Sequence, residues 1–148
     1  VKMSNSIAIG VAYADQNIAN AGTLQANMLT GVVGYNTGSP NIAIPSVTQA
    51  TSKSTGVTLN AAAGKITLNN AALASAASAQ FTLTNIQIGV NDLVFLTLAG
   101  GFATAGSYSH RVLDVSNGSC TVQLTNLSGG SLSEALVFNF ATFQLTQA

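Results

Sequence analysis

Charged residues are what this 148-residue chain has least of. Only 5% of its side chains are Asp, Glu, Lys or Arg, four acidic and four basic, against about 25% in ordinary soluble domains. The formal net charge is zero, and no basic run or stripe is present. A nucleic-acid backbone is bound mainly through clustered Lys and Arg, so we expect no nucleic-acid partner.

Groups that do acid–base or metal chemistry are equally scarce. The chain has one His and one Cys, and Cys120, His110 and Asp114 form its only thiol–imidazole–carboxylate set that is close in sequence. A nucleophile must lie within hydrogen-bond reach of its base, and the strand register described below puts Cys120 and His110 on opposite faces. The scattered carboxylates have no metal-ligand spacing. We therefore expect no enzyme, no metal and no other cofactor.

Three further absences bear on location. The N-terminal sequence has only a short, interrupted apolar stretch, which does not fit a signal peptide. No stretch approaches the roughly 20 mostly apolar residues of a membrane span, so we expect a soluble protein with no membrane partner. A single Cys cannot form an intrachain disulfide, which favours assembly in a reducing compartment.

After Pro45, short strands separated by Gly, Asn and Ser predict an all-β body covering residues 46–148. The five Phe residues of these strands are assigned to its core: Phe81, Phe95, Phe138, Phe140 and Phe143. The spacing predicts an antiparallel β-sandwich, jelly-roll-like, with a hairpin around residues 61–64. The Ala-rich segment 71–80 is the only plausible helix, and a loop with one helical turn fits it equally well. The predicted strands are residues 57–60, 65–70, 79–85, 92–100, 107–115, 119–126 and 134–145.

The dipeptide Asn117-Gly118 predicts a two-residue type I′ hairpin turn. The expected pairs are Ser116 with Ser119, Val115 with Cys120, Leu113 with Val122 and Arg111 with Leu124. Leu113 and Cys120 then face the core, while His110 and Tyr108 face solvent or a neighbouring subunit. The guanidinium of Arg111 reaches either solvent or a neighbour's carboxylate. The candidate oligomer interface therefore comprises Tyr108, His110 and Arg111.

Residues 1–45 are interpreted as an N-terminal arm, which ends in a stretch containing both prolines of the chain, Pro40 and Pro45. One run within the arm alternates between apolar and small or polar residues. An alternating segment can add a strand to an exposed sheet edge through main-chain hydrogen bonds, which need no charges. The candidate contact residues of this run are Ile7, Ile9, Val11 and Tyr13.

Three blocks of the sequence resemble small structural proteins of tailed bacteriophages: TSKSTGVTLN, GKITLNNAALA and GSLSEALVFNFA. The resemblance covers roughly residues 47–142, the predicted sandwich, and leaves the arm uncovered. It implies a virion component assembled in the host cytoplasm, either a capsid decoration (cement) protein or a fibre domain, often trimeric. It brings no catalytic residues with it.

Two functions follow from these observations. As a capsid decoration protein, the chain would form a homotrimer on the capsid surface and bind the major capsid protein, with the arm as a tether to the shell or to an adjacent subunit. As a tail- or head-fibre domain, it would bind a host glycan in a groove of exposed aromatic and amide side chains, Tyr108 among them. A cell-surface adhesin would need a signal peptide, and an enzyme would need a nucleophile, a base and a stabilising group.

Overall fold

The computed structural model describes residues 44–145, which form eight β-strands and no helix. Alternating burial runs through most strands; in the strand Ser78–Thr84, for example, every second side chain is buried. This period of two is what a strand with one face on a core requires. The strands are β1 Ser46–Thr48, β2 Val57–Thr58, β3 Ala63–Thr67, β4 Ser78–Thr84, β5 Leu93–Gly100, β6 Tyr108–Ser116, β7 Ser119–Asn126 and β8 Val137–Phe143.

The strands form two four-stranded sheets packed face to face, which confirms the predicted all-β sandwich. Sheet A has the order β1-β3-β8-β5 and sheet B the order β2-β4-β7-β6. Neighbouring strands are antiparallel except for β1 with β3 and β2 with β4, which are parallel. These two parallel pairs, and the short strand β1, were not predicted from the sequence.

The chain between β1 and β4 alternates between the sheets, and this explains the parallel pairs. It leaves β1 in sheet A, forms β2 in sheet B and returns to sheet A as β3. The predicted hairpin around residues 61–64 is therefore wrong, because β2 and β3 lie in different sheets. A strand that returns to its sheet after a crossing can run parallel to its predecessor, whereas a tight hairpin cannot.

The core lies between the two sheets and is built from their inward faces. The Phe138 side chain of β8 is completely buried, as are Ile66 of the neighbouring strand β3 and Leu83, Val122 and Leu124 of the facing sheet B. Phe81 and Phe140 are also buried, so three of the five Phe assignments hold. Phe95 and Phe143 are 55% and 47% exposed, and their assignment to the core is wrong.

Residues 71–77 of the Ala-rich segment form a loop and residues 78–80 begin β4, so both predictions for it, a helix and a loop with one helical turn, are wrong. Leu73 forms an isolated antiparallel bridge with Leu132 through two main-chain bonds of 2.9 and 3.0 Å. The side-chain amide of the buried Asn126 donates to the carbonyls of Leu73 and Ala74. These contacts outside the segment take the backbone groups that a helix would pair internally.

Candidate functional site

A β-bulge in β6 changes the register of the hairpin that contains the candidate interface residues. Next to the turn the predicted register is right, since Val115 pairs with Cys120. The register then shifts between Val112 and Asp114, and Leu113 is left 43% exposed. A bulge places two residues opposite one and so exchanges the inward and outward faces of the strand beyond it.

The side chains of β6 beyond the bulge therefore face opposite to the prediction. Val112 pairs with Val122 and His110 pairs with Leu124. The predicted pairs of Leu113 with Val122 and of Arg111 with Leu124 are wrong, and so is the face assignment that followed from them. The side chains that turn inward are Tyr108, His110 and Val112.

The hairpin turn also differs in type from the prediction. Gly118 has a φ of 81°, whereas Asn117 is not among the residues with positive φ. A type I′ turn needs positive φ at both central residues, while a type II turn needs it only at the second. The Gly118 amide donates to the Ile88 carbonyl and the Asn85 amide donates to the Gly118 carbonyl, both at 2.8 Å. The turn is thus fixed by its contacts with the loop that follows β4.

The three candidate interface residues have different environments. Tyr108 is 8% exposed and does not present its ring outside the protomer. His110 is half-buried, packs edge-on against Phe138 with ring centroids 5.1 Å apart, and bonds through Nε2 to a main-chain carbonyl of β5. Arg111 is exposed, and its Nε donates to Gln123 Oε1 at 2.7 Å. An interface role for these residues stays a prediction, with Arg111 the most accessible of the three.

Cys120 and His110 prove to lie on the same inward face, contrary to the prediction, but they are not close. His110 pairs with Leu124, four residues along β7 from Cys120, which corresponds to roughly 13 Å along a strand. Burial, and secondly the Asp114 carboxylate, raises the pKa of the Cys120 thiol to about 11. A protonated thiol without a nearby base is a poor nucleophile.

A buried polar cluster of Lys53, Glu134 and Tyr108 was missed by the sequence analysis. Lys53 is 3% exposed, and its Nζ donates to the main-chain carbonyls of Asn69 at 2.7 Å and Glu134 at 2.5 Å. Glu134 Oε1 accepts a hydrogen bond from the Ala103 amide at 2.6 Å. The cluster ties the turn before β2, the β5–β6 loop and the segment before β8 together. No spacing or motif in the sequence indicates it.

Burial shifts the pKa values of Lys53 and Tyr108 in this cluster. Desolvation lowers the pKa of Lys53, and the attraction of Glu134 partly offsets that effect. Burial, and then the Glu134 carboxylate, raises the pKa of Tyr108. Neither Tyr108 Oη nor Glu134 Oε2 completes a hydrogen bond of good geometry, although they interact closely enough for this effect. We call this cluster the buried clamp, because its polar groups are directed at the main chain and at each other.

Between residues 44 and 145, no group of three or more His, Cys, Asp or Glu side chains is placed to hold a metal ion. No helix in this part of the chain is long and apolar enough to cross a membrane. The four residues proposed from the arm, Ile7, Ile9, Val11 and Tyr13, lie outside the described residues.

One end of the sandwich carries a recess lined partly by amide side chains. Its volume is about 330 Å³, and its lining includes Gln87, Asn117 and Gln144. The carboxylate of Asp92 also lines it but already accepts hydrogen bonds from the amides of Gly89 and Leu145. The recess offers amide groups to a polar ligand without an aromatic platform among its lining residues.

The outer surface of sheet A near β5 carries large apolar side chains that are exposed. Leu93 and Phe95 of β5 are 48% and 55% exposed. Phe95 packs edge-to-face against Phe143 of β8, with ring centroids 5.3 Å apart. We call this surface, formed by Leu93, Phe95 and Phe143, the apolar corner. Adjacent exposed apolar side chains are candidates for contact with a partner.

The described residues thus form a β-sandwich with an exposed apolar corner and an amide-lined recess. No family model, curated protein or solved structure matches the chain.

Proposed function

We propose that this protein is a non-enzymatic structural component of a tailed-phage virion, a decoration protein that binds the head shell and stabilises it as a trimer. The observation that carries the proposal is the apolar corner on a surface almost free of charge. A surface of hydroxyls and amides with zero net charge has little repulsion to keep copies apart. The resemblance of residues 47–142 to small phage structural proteins supports the same function.

The partners in this proposal are the major capsid protein and further copies of the chain on the capsid surface. Many weak contacts repeated over a capsid lattice add up to strong attachment through avidity. The alternating run Ile7–Tyr13 is the proposed contact with the shell or an adjacent subunit, since strand addition needs no charged groups.

The test is a binding assay of the purified full chain on undecorated phage heads, read by sedimentation and electron microscopy. Saturable binding at symmetry-related positions of the shell is the expected result. An Ile9→Lys variant should bind more weakly, because it puts a charge into the alternating run, and an Asn5→Lys variant is the matched charge control. Heads that stay bare at saturating protein would contradict the decoration function.

A fibre domain that binds host glycan is the second candidate, and the amide-lined recess favours it. Tyr108, the aromatic proposed for that role, is buried, so the recess is the better place to look. A Gln87→Ala variant should lose adhesion to host polysaccharide if this function is right. Equal adhesion by this variant and the parent protein would remove the recess as the site.

A further inference from the structure

The four edge strands of the sandwich differ in how well they are protected against pairing with another chain. β1 and β2 are only three and two residues long. β6 carries Arg111 and Asp114 and is bulged. β5 has eight residues, LVFLTLAG, with no charge and no proline. Short edges, charges and bulges are the usual protections of an edge strand, and of these β5 has only a bulge near its end.

On the side of β5 away from β8, no other strand of residues 44–145 pairs with its main chain. The Leu96 carbonyl points to that side, because it accepts a hydrogen bond from His110 Nε2 of sheet B at 3.1 Å. Residues of an antiparallel strand alternate in the side to which both main-chain groups point. Val94 and Leu98 therefore direct their N–H and C=O groups to the same side, where no strand from residues 44–145 pairs with β5.

Both faces of β5 leave apolar surface open next to this edge. On the outer face, Leu93 and Phe95 belong to the apolar corner. On the inner face, the side chains of Val94, Leu96 and Leu98 pack against the core but stay only half-buried. The core is thus incompletely covered at the β5 side of the sandwich.

We propose that the edge of β5 left unpaired by residues 44–145, together with the apolar corner, is the surface through which copies of this chain associate. The occupant is an extended strand of a second copy, which pairs with the main chain of β5. Charge favours this occupant: the strands of sheet A carry one charged side chain, Lys65, and β8 separates it from β5. A charged partner strand would find no counter-charge on β5 or β8, whereas a second copy has zero net charge.

The size of the surface is also consistent with self-association. The half-exposed rings of the apolar corner leave roughly 200 Å² to cover, and a strand of eight residues is about 26 Å long. Main-chain pairing along that length adds buried surface to the side-chain contact. The total buried area then approaches the roughly 800 Å² per partner of a stable interface. The inference depends on the self-association in the proposed function and not on shell binding.

The experiment measures the mass of the full chain in solution, without phage heads, by light scattering and sedimentation equilibrium. Thr97 lies in the middle of β5, exposed on the outer face. Thr97→Lys should raise the dissociation constant by at least about tenfold, because its ammonium group would be buried against the partner. Thr82→Lys is the matched control, since Thr82 is also exposed, on β4, but β4 lies between two other strands.

An oligomer that Thr97→Lys dissociates and Thr82→Lys does not is the expected result. A monomeric parent protein, or a Thr97→Lys variant with the parent's mass, would overturn the proposal. Because heads are absent, loss of self-association is distinguished from loss of shell binding.

Hydrogen exchange tests whether the contact includes main-chain pairing. The amides of Val94 and Leu98 should be protected in the oligomer and exchange faster in the Thr97→Lys monomer. The amide of Phe81, in the interior strand β4, should be protected in both. Equal exchange of the Val94 and Leu98 amides in the two proteins would refute strand pairing at β5.

Discussion

Cys120 should make the stability of this protein depend on alkaline pH. The side chain is 1% exposed, and burial raises the pKa of its thiol from 9.0 to about 11. In the unfolded chain the thiol ionises near its ordinary pKa. Between pH 9 and pH 11 the unfolded state therefore releases a proton that the folded state retains, so stability is lost as the pH rises through this range.

The size of the effect follows from the shift of the pKa. Two pKa units correspond to about 2.7 kcal/mol, and roughly 1.4 kcal/mol of this is lost by pH 10. That is a measurable part of the 5–15 kcal/mol that stabilises a typical domain. The thiol contributes this dependence only because it faces the core from β7.

Urea unfolding at pH 8 and pH 10, under a reductant, measures the effect in the parent protein and in Cys120→Ala. The variant should be less stable by about 1 kcal/mol at pH 8, because it leaves a small cavity. At pH 10 the stability difference between the parent and Cys120→Ala should vanish or reverse, because only the parent has a thiol that must stay protonated in the folded state. Other groups titrate in both proteins, so their effects largely cancel.

Cys120→Ser serves as a second variant. It should cost about 1–3 kcal/mol at pH 8, because a hydroxyl replaces the thiol in an apolar environment. It should also lose less stability between pH 8 and pH 10 than the parent protein, because it has no thiol to ionise. If the stability difference between the parent and Cys120→Ala were the same at pH 8 and pH 10, the thiol would ionise as freely in the fold as in the unfolded chain. The burial argument would then be refuted.

Three further predictions concern backbone and buried polar groups. Gly101→Ala should destabilise the fold by well over 2 kcal/mol, because φ is 81° and a Cβ would clash with the Ala135 carbonyl oxygen. Gly118→Ala, with the same φ and open space around it, should cost only about 1–2 kcal/mol, and equal losses of stability for the two variants in thermal unfolding would contradict this. Asn126→Ala should cost about 2–4 kcal/mol in urea unfolding, since three carbonyls lose their donor, and a change below about 0.5 kcal/mol would show that water replaces the amide. Tyr108→Phe should change the stability by less than about 0.5 kcal/mol at pH 7, because it removes a buried hydroxyl without a good partner. It should also reduce the loss of stability above pH 10, since the pKa of Tyr108 is raised in the fold. A large loss of stability of this variant at pH 7 would mean that the hydroxyl is well bonded.

Much of the sandwich could be predicted from local patterns because those patterns report which face of a strand is buried. In β4, QFTLT alternates strictly, and Phe81 and Leu83 are buried as the pattern requires. Near the turn, the small loop between β6 and β7 leaves little choice of pairing, so Val115 with Cys120 was predicted correctly. The bulge at Leu113 could not be read from alternation, and one extra residue was enough to exchange the faces of His110 and Arg111.

The candidate contact surface was harder to predict than the fold. The run LVFLTLAG is apolar at nearly every position, which is typical of a strand buried on both faces. Phe95 was assigned to the core because it lies in a predicted strand beside aliphatic residues, where core packing is the default. The structure places β5 at the edge of sheet A with its outer face open. Composition alone does not tell a central strand from an unprotected edge strand, because the difference lies in the neighbours.

The sequence by itself determined that this protein is an all-β sandwich with little charge, since alternation and turn residues act between near neighbours in the chain. Only the tertiary structure decided the parallel pairs, the edge position of β5, and the clamp in which Lys53 bonds to carbonyls 16 and 81 residues away. A buried ammonium group is tolerated only where acceptors converge on it. That convergence depends on how the two sheets pack, which local sequence does not specify.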